Sequence, residues 1–209
     1  MTNEIKPALL STAYLPPIEY FYYLLKAEQI FVEQFETYPK QSYRNRCTVL
    51  SGNGELSLSI PVKKVNGNHT LTKDVVFFDE EKWQQNHWRT IQIAYSASPF
   101  LLYYADELEI FYKQKYTNLL EFNLALTLTL CRLIGFNLDI TLTKTFEKNP
   151  GNFLDLRNRI SPKKPNTIKS FPPYTQVFSD RYPFIPNLSI IDLLFNLGPE
   201  TGAYLSKLE

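Results

Sequence analysis

The stretch from residue 8 to residue 35 constrains the fold most. Ala8-Leu9-Leu10 is a short apolar run that passes into Ser11-Thr12, and it reads as a buried strand. Pro16-Pro17 follows; proline stops regular structure, yet it is tolerated in the first turn of a helix, where its missing N–H has no partner to lose. Ile18 to Ala27 then places Phe21, Leu24 and Leu25 on one helical face, which Tyr20 and Tyr23 widen. Gln29 to Phe35, carrying Ile30, Phe31 and Val32, is a second buried strand. An antiparallel pair needs only a hairpin, whereas a helix between two strands brings them back parallel. The opening is therefore β-α-β, the unit of α/β folds.

The rest of the chain adds antiparallel and helical parts. Tyr43 to Leu50 reads as a strand, Ser51-Gly52-Asn53-Gly54 as a tight turn, and the alternating Leu56 to Val62 as a half-buried partner. Lys63 to Thr72 is a loop, and Lys73 to Phe78 a short edge strand. Glu80 to Tyr95 is a helix on which Trp83, His87 and Ile91 share a face. Ser98-Pro99 starts another, running from Phe100 to Lys113. Asn118, with Glu121 three residues on, caps a long helix that ends at Ile134, and Gly135 takes the left-handed position after it. Leu138 to Thr143 alternates as a strand. Residues 147–173 hold five prolines and a basic run from Arg157 to Lys164; they predict an irregular arm, its charges solvated. Gln176 to Phe178 reads as a last short strand, Ile190 to Leu197 as an apolar helix, and Pro199 to Leu208 as a final one. The predicted class is α/β: a mixed β-sheet with flanking helices, an irregular proline-rich arm and a C-terminal helix, in one domain over residues 1–209.

Composition removes several function classes. The net charge is +1, so no broad nucleic-acid surface is expected. Seven glycines include no Gly-x-Gly-x-x-Gly after a strand, which disfavours a dinucleotide fold. Two histidines, His69 and His87, and two isolated cysteines, Cys47 and Cys131, make no metal-ligand pattern; the cysteines read as reduced core thiols, and no cofactor is assignable. Leu119 to Ile134 carries Glu121, Asn123, Thr127, Thr129 and Arg132, too polar for a membrane span. No charged and then apolar leader opens the chain, so the cytoplasm is the expected compartment.

The candidate chemistry centres on Tyr43-Arg44-Asn45-Arg46. On a strand, Ser42, Arg44, Arg46 and Thr48 share one face and Tyr43 and Asn45 the other. Two guanidiniums about 7 Å apart repel each other unless an anion answers them: a phosphate, a ligand carboxylate, or the protein's own Asp192 or Glu19. His87 is the candidate general acid/base, since an unperturbed imidazole titrates near neutrality; the alternative is a helix histidine bonded to a backbone carbonyl. Asp192 falls near a predicted helix N-terminus, where it either favours the helix dipole or serves a site. Asn187 and Ser189 are candidate caps. His69 lies in a Gly-Asn-rich loop and is expected to be solvated.

Tyr14-x-Pro16-x-x-x-Tyr20-Phe21, Ser42-Tyr43-Arg44-Asn45-Arg46, Ile60-Pro61-Val62, Trp83-x-x-x-His87 and Tyr95-x-x-x-Pro99-Phe100 occur in that order. Tyr174-x-Gln176-x-Phe178 and Phe184-x-Pro186-x-Leu188-Ser189-Ile190-Ile191-Asp192-Leu193-Leu194-Phe195-Asn196 close the series. Together they resemble the WbqC-like protein family over most of the chain. The resemblance implies a role in bacterial surface-polysaccharide or glycoconjugate biosynthesis, as a transferase using an activated sugar or acyl donor. On an enzyme reading, His87 and Asp192 are the candidate catalytic residues, expected to converge with Arg44 and Arg46 in one cleft. On the same reading Tyr14, Tyr20, Tyr43, Arg44, Asn45, Arg46, Gln176 and Asn196 are the candidate contacts to an anionic small-molecule ligand and its acceptor. The alternative is a non-catalytic binding or assembly protein of the same pathway, as a homodimer. The chain departs from the pattern at Ser11-Thr12, where many members have Gln-Pro, at Glu19, where glycine is usual, and in a shorter, more proline-rich 147–173 region.

Overall fold

The structure is a computed structural model that describes residues 6–78 and 82–209. The β-α-β opening forms as β1 (Ala8–Ser11), α1 (Ile18–Lys26) and β2 (Ile30–Glu33). Strands β1 and β2 are parallel, with Ala8 opposite Ile30 and Ser11 opposite Glu33. Alternation sends Ala8, Leu10, Ile30 and Val32 into the main core. Leu9, Phe31 and, on β7, Thr141 are register partners on the other face. Strand β7 (Ile140–Leu142) lies beside β2, and the short β8 (Leu154–Asp155) beside β1. The four strands run in the order β7-β2-β1-β8, all parallel.

Antiparallel pairing is present but separate. Strands β3 (Arg46–Ser51) and β4 (Gly54–Ser59) form the predicted hairpin, closed by Gly54 at φ +94°, a value that glycine adopts without strain. Strands β5 (Val62–Lys64) and β6 (Val75–Phe77) pair beyond it. The strand expected from Ser42 begins only at Arg46; Tyr43 and Arg44 lie in a turn after Gln41, whose φ is +57°. Side-chain alternation therefore does not link Arg44 to Arg46.

Helices α2 (Trp83–Ala94), α3 (Leu101–Lys113) and α4 (Leu119–Ile134) follow; residues 80 and 81 of the predicted first helix lie outside the described residues. Asn118 Oδ1 accepts the backbone N–H groups of Leu120 and Glu121 at 2.8 and 3.2 Å, and Gly135 ends α4 at φ +103°. Helix α5 (Ile190–Leu197) is buried from Ile190 through Phe195, which makes it a core element rather than a surface helix. Gly198 ends it at φ +54°, where a Cβ would stand 2.6 Å from the Phe100 ring. Helix α6 (Thr201–Ser206) packs on α1. No helix among the described residues is long and apolar enough to cross a membrane.

The proline-rich arm is anchored by side chains rather than by regular structure. Leu156, Ile160, Ile168 and Phe171 are buried. Glu19 is buried and accepts both the N–H and the hydroxyl of Thr167 at 2.7 Å. It also accepts Asn187 Nδ2 at 3.0 Å, and so ties the arm to α1. Of the basic run, Arg159, Lys163 and Lys164 are exposed, but Arg157 is buried. The predicted strand at Gln176 is absent. The Gln176 side chain instead pairs with the Ile185 backbone in both directions, at 2.9 and 3.0 Å, taking the bonds that a strand neighbour would have taken.

Candidate functional site

Ligands of open α/β sheets collect outside the carboxyl ends of the strands, where the chain reverses its direction across the sheet. Here the chain moves from β1 to β2 and β7, then crosses back to place β8 on the far side of β1. The switch therefore lies between β1 and β8. At that point Ser11, Thr12, Tyr20, Tyr43, Arg44 and Arg157 surround a cavity of about 10 Å³, room for a single water.

A buried ionic network builds this end of the sheet. Arg44 grips Glu36 with two parallel bonds, Nε to Oε1 at 2.8 Å and Nη2 to Oε2 at 2.7 Å. Its Nη2 also donates to Ser11 Oγ at 2.5 Å, and Ser11 Oγ donates to the Arg157 carbonyl at 3.2 Å. Arg157 Nη1 reaches Glu33 at 3.1 Å, and its Nε and Nη2 reach Asp155 at 2.9 and 2.7 Å. Burial raises the Asp155 carboxyl, but the bonds from Arg157 outweigh it and hold the group below its ordinary value. The anion that Arg44 requires is thus supplied by Glu36, not by Asp192 or Glu19. Thr12 Oγ1 is buried at the same point without a hydrogen-bond partner. Tyr20 donates to the Ser11 carbonyl at 2.9 Å, and burial pushes the Tyr43 hydroxyl up to about 12.

On the outer face of the sheet lies a groove of about 240 Å³. Parallel strands are usually joined by a helix; the β7–β8 crossover, residues 143–153, has none. It lies over the face that Leu9 and Phe31 present and leaves part of it open. Leu9, Phe31, Leu142, Pro150 and Phe153 line the groove, with the Phe31 and Phe153 rings edge to face at 4.9 Å. Glu33, Thr143, Lys144 and Glu147 form its polar rim. The Glu33–Arg157 pair stands between this groove and the switch cavity. A broader open hollow lies beside the C-terminal half of α4, around Arg132 and Asp139, and carries none of the residues singled out from the sequence.

The predicted site residues fall into three groups. Tyr20, Tyr43 and Arg44 meet at the switch cavity. Tyr14 and His87 meet elsewhere: the Tyr14 hydroxyl is 3.0 Å from His87 Nδ1 and 2.9 Å from the Tyr112 hydroxyl, among the rings of Trp83 and Phe122. Burial lowers His87 to about 4 against a partial offset from the Ser59 carbonyl, so the ring is neutral at pH 7. Asp192 forms the third group. Its Oδ2 accepts Tyr174 Oη at 2.6 Å and Gln176 Nε2 at 2.9 Å, and its carbonyl accepts Asn196 Nδ2 at 2.7 Å. Burial raises the Asp192 carboxyl, opposed by Tyr174, Gln176 and the nearby Tyr95; its Oδ1 and the Tyr95 hydroxyl make no well-formed hydrogen bond. Asn45 holds the Ile60 carbonyl at 2.7 Å, and Arg46 pairs in register with Ser59 on the hairpin. None of the cavities described above is lined by members of two groups.

Glu33, Glu36, Thr12, Arg157 and Lys144 were missed from sequence. A usable signal existed for two of them. Glu33 ends an apolar strand with a charge, and Asp155-x-Arg157 follows directly on an apolar Phe153-Leu154.

The sequence model of the WbqC-like protein family matches residues 12–163 and 165–204. The uncharacterized protein Rv1507c of Mycobacterium tuberculosis (strain ATCC 25618 / H37Rv) is 24% identical over 225 residues, covering 96% of this chain and 97% of its own. No solved structure matches.

Proposed function

The chain belongs to the WbqC-like family, and from that premise we propose that it works in bacterial surface-polysaccharide or glycoconjugate biosynthesis as a transferase for an activated sugar or acyl donor. One observation carries this reading. The outer face of the parallel sheet carries a groove of about 240 Å³ that reaches the carboxyl end of β2 at Glu33, has Lys144 on its rim and is bounded by the buried Glu33–Arg157 pair. The donor's transferable group lies in the groove and its anionic portion at Lys144. Tyr20, Tyr43 and Arg44 shape the carboxyl end of β1 beside the groove, Tyr20 through the Ser11 carbonyl and Arg44 through Ser11 and Glu36. His87, Asp192, Tyr14, Asn45, Arg46, Gln176 and Asn196 act in this reading by holding the surrounding elements in place. Thermal shift tests it, using the full chain with phosphate, nucleotide sugars, acyl-CoA and aminoacyl donors. A donor-dependent rise in melting temperature that Lys144→Glu diminishes is the expected result; no rise with any donor class would count against it.

A second reading, a non-catalytic assembly protein, rests on a different surface. Ile93, near the end of α2, and Leu102 and Tyr103, near the start of α3, are 65%, 88% and 83% exposed, and Ile110 lies on the Tyr103 side of α3. Such a patch suits a homodimer interface. Sedimentation decides it: a wild-type dimer that Leu102→Glu dissociates supports the reading, and a monomer at all concentrations removes it.

A further inference from the structure

We propose that the groove between the outer sheet face and the 143–153 crossover is an acyl-chain site, so that the donor is an acyl thioester rather than a nucleotide sugar. This rests on the donor-binding reading above and names the donor class.

Of the polar residues that edge the groove, Glu33 and Thr143 already have their bonds, while Thr141, Lys144, Thr145 and Glu147 lie at its exposed rim. Glu33 Oε1 accepts the Phe35 N–H at 2.8 Å and the Thr143 hydroxyl at 2.8 Å, and Oε2 accepts Arg157. Thr143 Oγ1 also accepts the Gln34 N–H at 3.3 Å, and the Thr143 carbonyl accepts Gln34 Nε2 at 2.7 Å. A hexose placed there would find its hydroxyls facing Leu9, Phe31, Leu142, Pro150 and Phe153. Hydroxyls moved from water to such surroundings lose bonds that nothing replaces. A hydrocarbon chain loses nothing there and gains burial. The size fits as well. A groove of about 240 Å³ holds about eight water-sized groups at the ~30 Å³ that each takes in the liquid, which matches a straight chain of roughly six to eight carbons. The charge of the strap fits the polar end of a thioester donor. Lys144 and Lys148 stand against Glu147, and Lys144 is exposed at the rim, where it can meet the phosphates of a carrier. An edge-to-face pair of phenylalanine rings is a wall for a flexible chain. It offers a sugar no hydrogen bond.

The test is a titration of the full chain by calorimetry with coenzyme A and its acetyl, butanoyl, hexanoyl, octanoyl and dodecanoyl thioesters, with a uridine diphosphate hexose alongside. Affinity is expected to rise about three- to fourfold per added carbon and to level off near eight carbons. Thr141→Trp fills the groove from an exposed position on the edge strand β7, where an aromatic residue is well tolerated. It should abolish the chain-length dependence while the melting temperature of the free protein holds. Thr141→Val should leave the dependence intact. Thioesters that bind no tighter than coenzyme A, while the nucleotide sugar does bind, would overturn the acyl site and leave the donor reading standing. Binding by neither class would overturn both. Octanoyl binding unchanged in a folded Thr141→Trp protein would overturn the placement.

Discussion

Two buried polar regions of this protein solve the same problem in opposite ways. Around His87 the titratable group is given no charge partner: Tyr14, Tyr112, Trp83 and the Ser59 carbonyl surround it, and burial keeps the ring neutral. At the carboxyl ends of β1 and β2 the charges are kept, and each guanidinium is met by carboxylates of the protein: Arg44 by Glu36, Arg157 by Glu33 and Asp155. Desolvation acts on both. It wins at His87, where only dipoles oppose it, and loses at the arginines, whose ionised forms are fixed by opposite charges at hydrogen-bond distance. A buried ionisable residue is therefore weak evidence of chemistry by itself; what distinguishes the arginine region is the groove and cavity beside it.

The largest expected effect breaks the charged region. Arg157→Ala leaves Glu33 buried without its cation, which should cost about 3–5 kcal/mol in urea unfolding. Removing both partners, as in Arg157→Met with Glu33→Gln, should cost less than the single Arg157 change, because no uncompensated charge remains. A double variant at least as unstable as the single one would show that the pair does not act as a charge unit.

The neutral region predicts a pH dependence. The folded His87 value, about 4, is below the unfolded value of 6.5, so between them the unfolded chain binds more protons. Stability then rises with pH across that window, and is lost as pH falls from about 6.5 toward 4, by roughly 3 kcal/mol at the acid end. Chemical denaturation at pH 4.5 and pH 7 of wild type and His87→Gln measures it; the variant's curves should lie closer together. A His87→Gln protein with the wild-type pH response would mean that the loss comes from other groups.

Asp192 sharpens the comparison, since it is a buried carboxylate without a cation among the described residues. Its folded value is raised by burial, so the folded protein binds the extra proton and stability falls as pH climbs above the unfolded carboxylate value of about 3.9. Asp192→Asn keeps an acceptor for Tyr174 and Gln176 and offers a donor to the nearby Tyr95 hydroxyl, which makes no well-formed hydrogen bond. A gain of about 1 kcal/mol at pH 7, with a flatter pH profile, is expected from thermal unfolding. A loss at pH 7 would show that the charge itself is needed.

The α/β class was legible because its signals are local. The apolar runs of β1 and β2, the prolines before α1, and the Asn118 and Gly135 caps each act within a few residues. The site was less legible because its pairings are not local. Arg44 and Arg46 looked like neighbours on one face only if the strand began at Ser42; the turn at Tyr43 and Arg44 cancels that alternation, and nothing in the local pattern names Glu36 as the partner. Arg157 read as one more solvated charge in a basic run, since β8 is two residues long and too short for a periodicity. Its contacts with Ser11 and Glu33 span 146 and 124 residues. Tyr20, Tyr43 and Arg44 do share a cavity, whereas the residues packed around His87 and Asp192 form separate clusters.

The smallest expected effect lies inside the charged region, at Thr12, and the adjacent Ser11 is the measure for it. Ser11 Oγ accepts Arg44 and donates to the Arg157 carbonyl, so it bridges the two guanidinium-bearing residues. Ser11→Ala should cost about 1.5–3 kcal/mol, the range for a hydrogen bond to a charged group. Thr12 Oγ1, one residue on, is as deeply buried and bonds to nothing among the described residues. Valine has nearly the shape of threonine, so Thr12→Val should change unfolding free energy by no more than about 0.5 kcal/mol. A loss above about 1 kcal/mol would mean that the Thr12 hydroxyl does have a partner, for which a water in the switch cavity is the obvious choice given its size. The charged region would then be hydrated at its centre, and the contrast with the dry aromatic setting of His87 would be one of water as well as of charge.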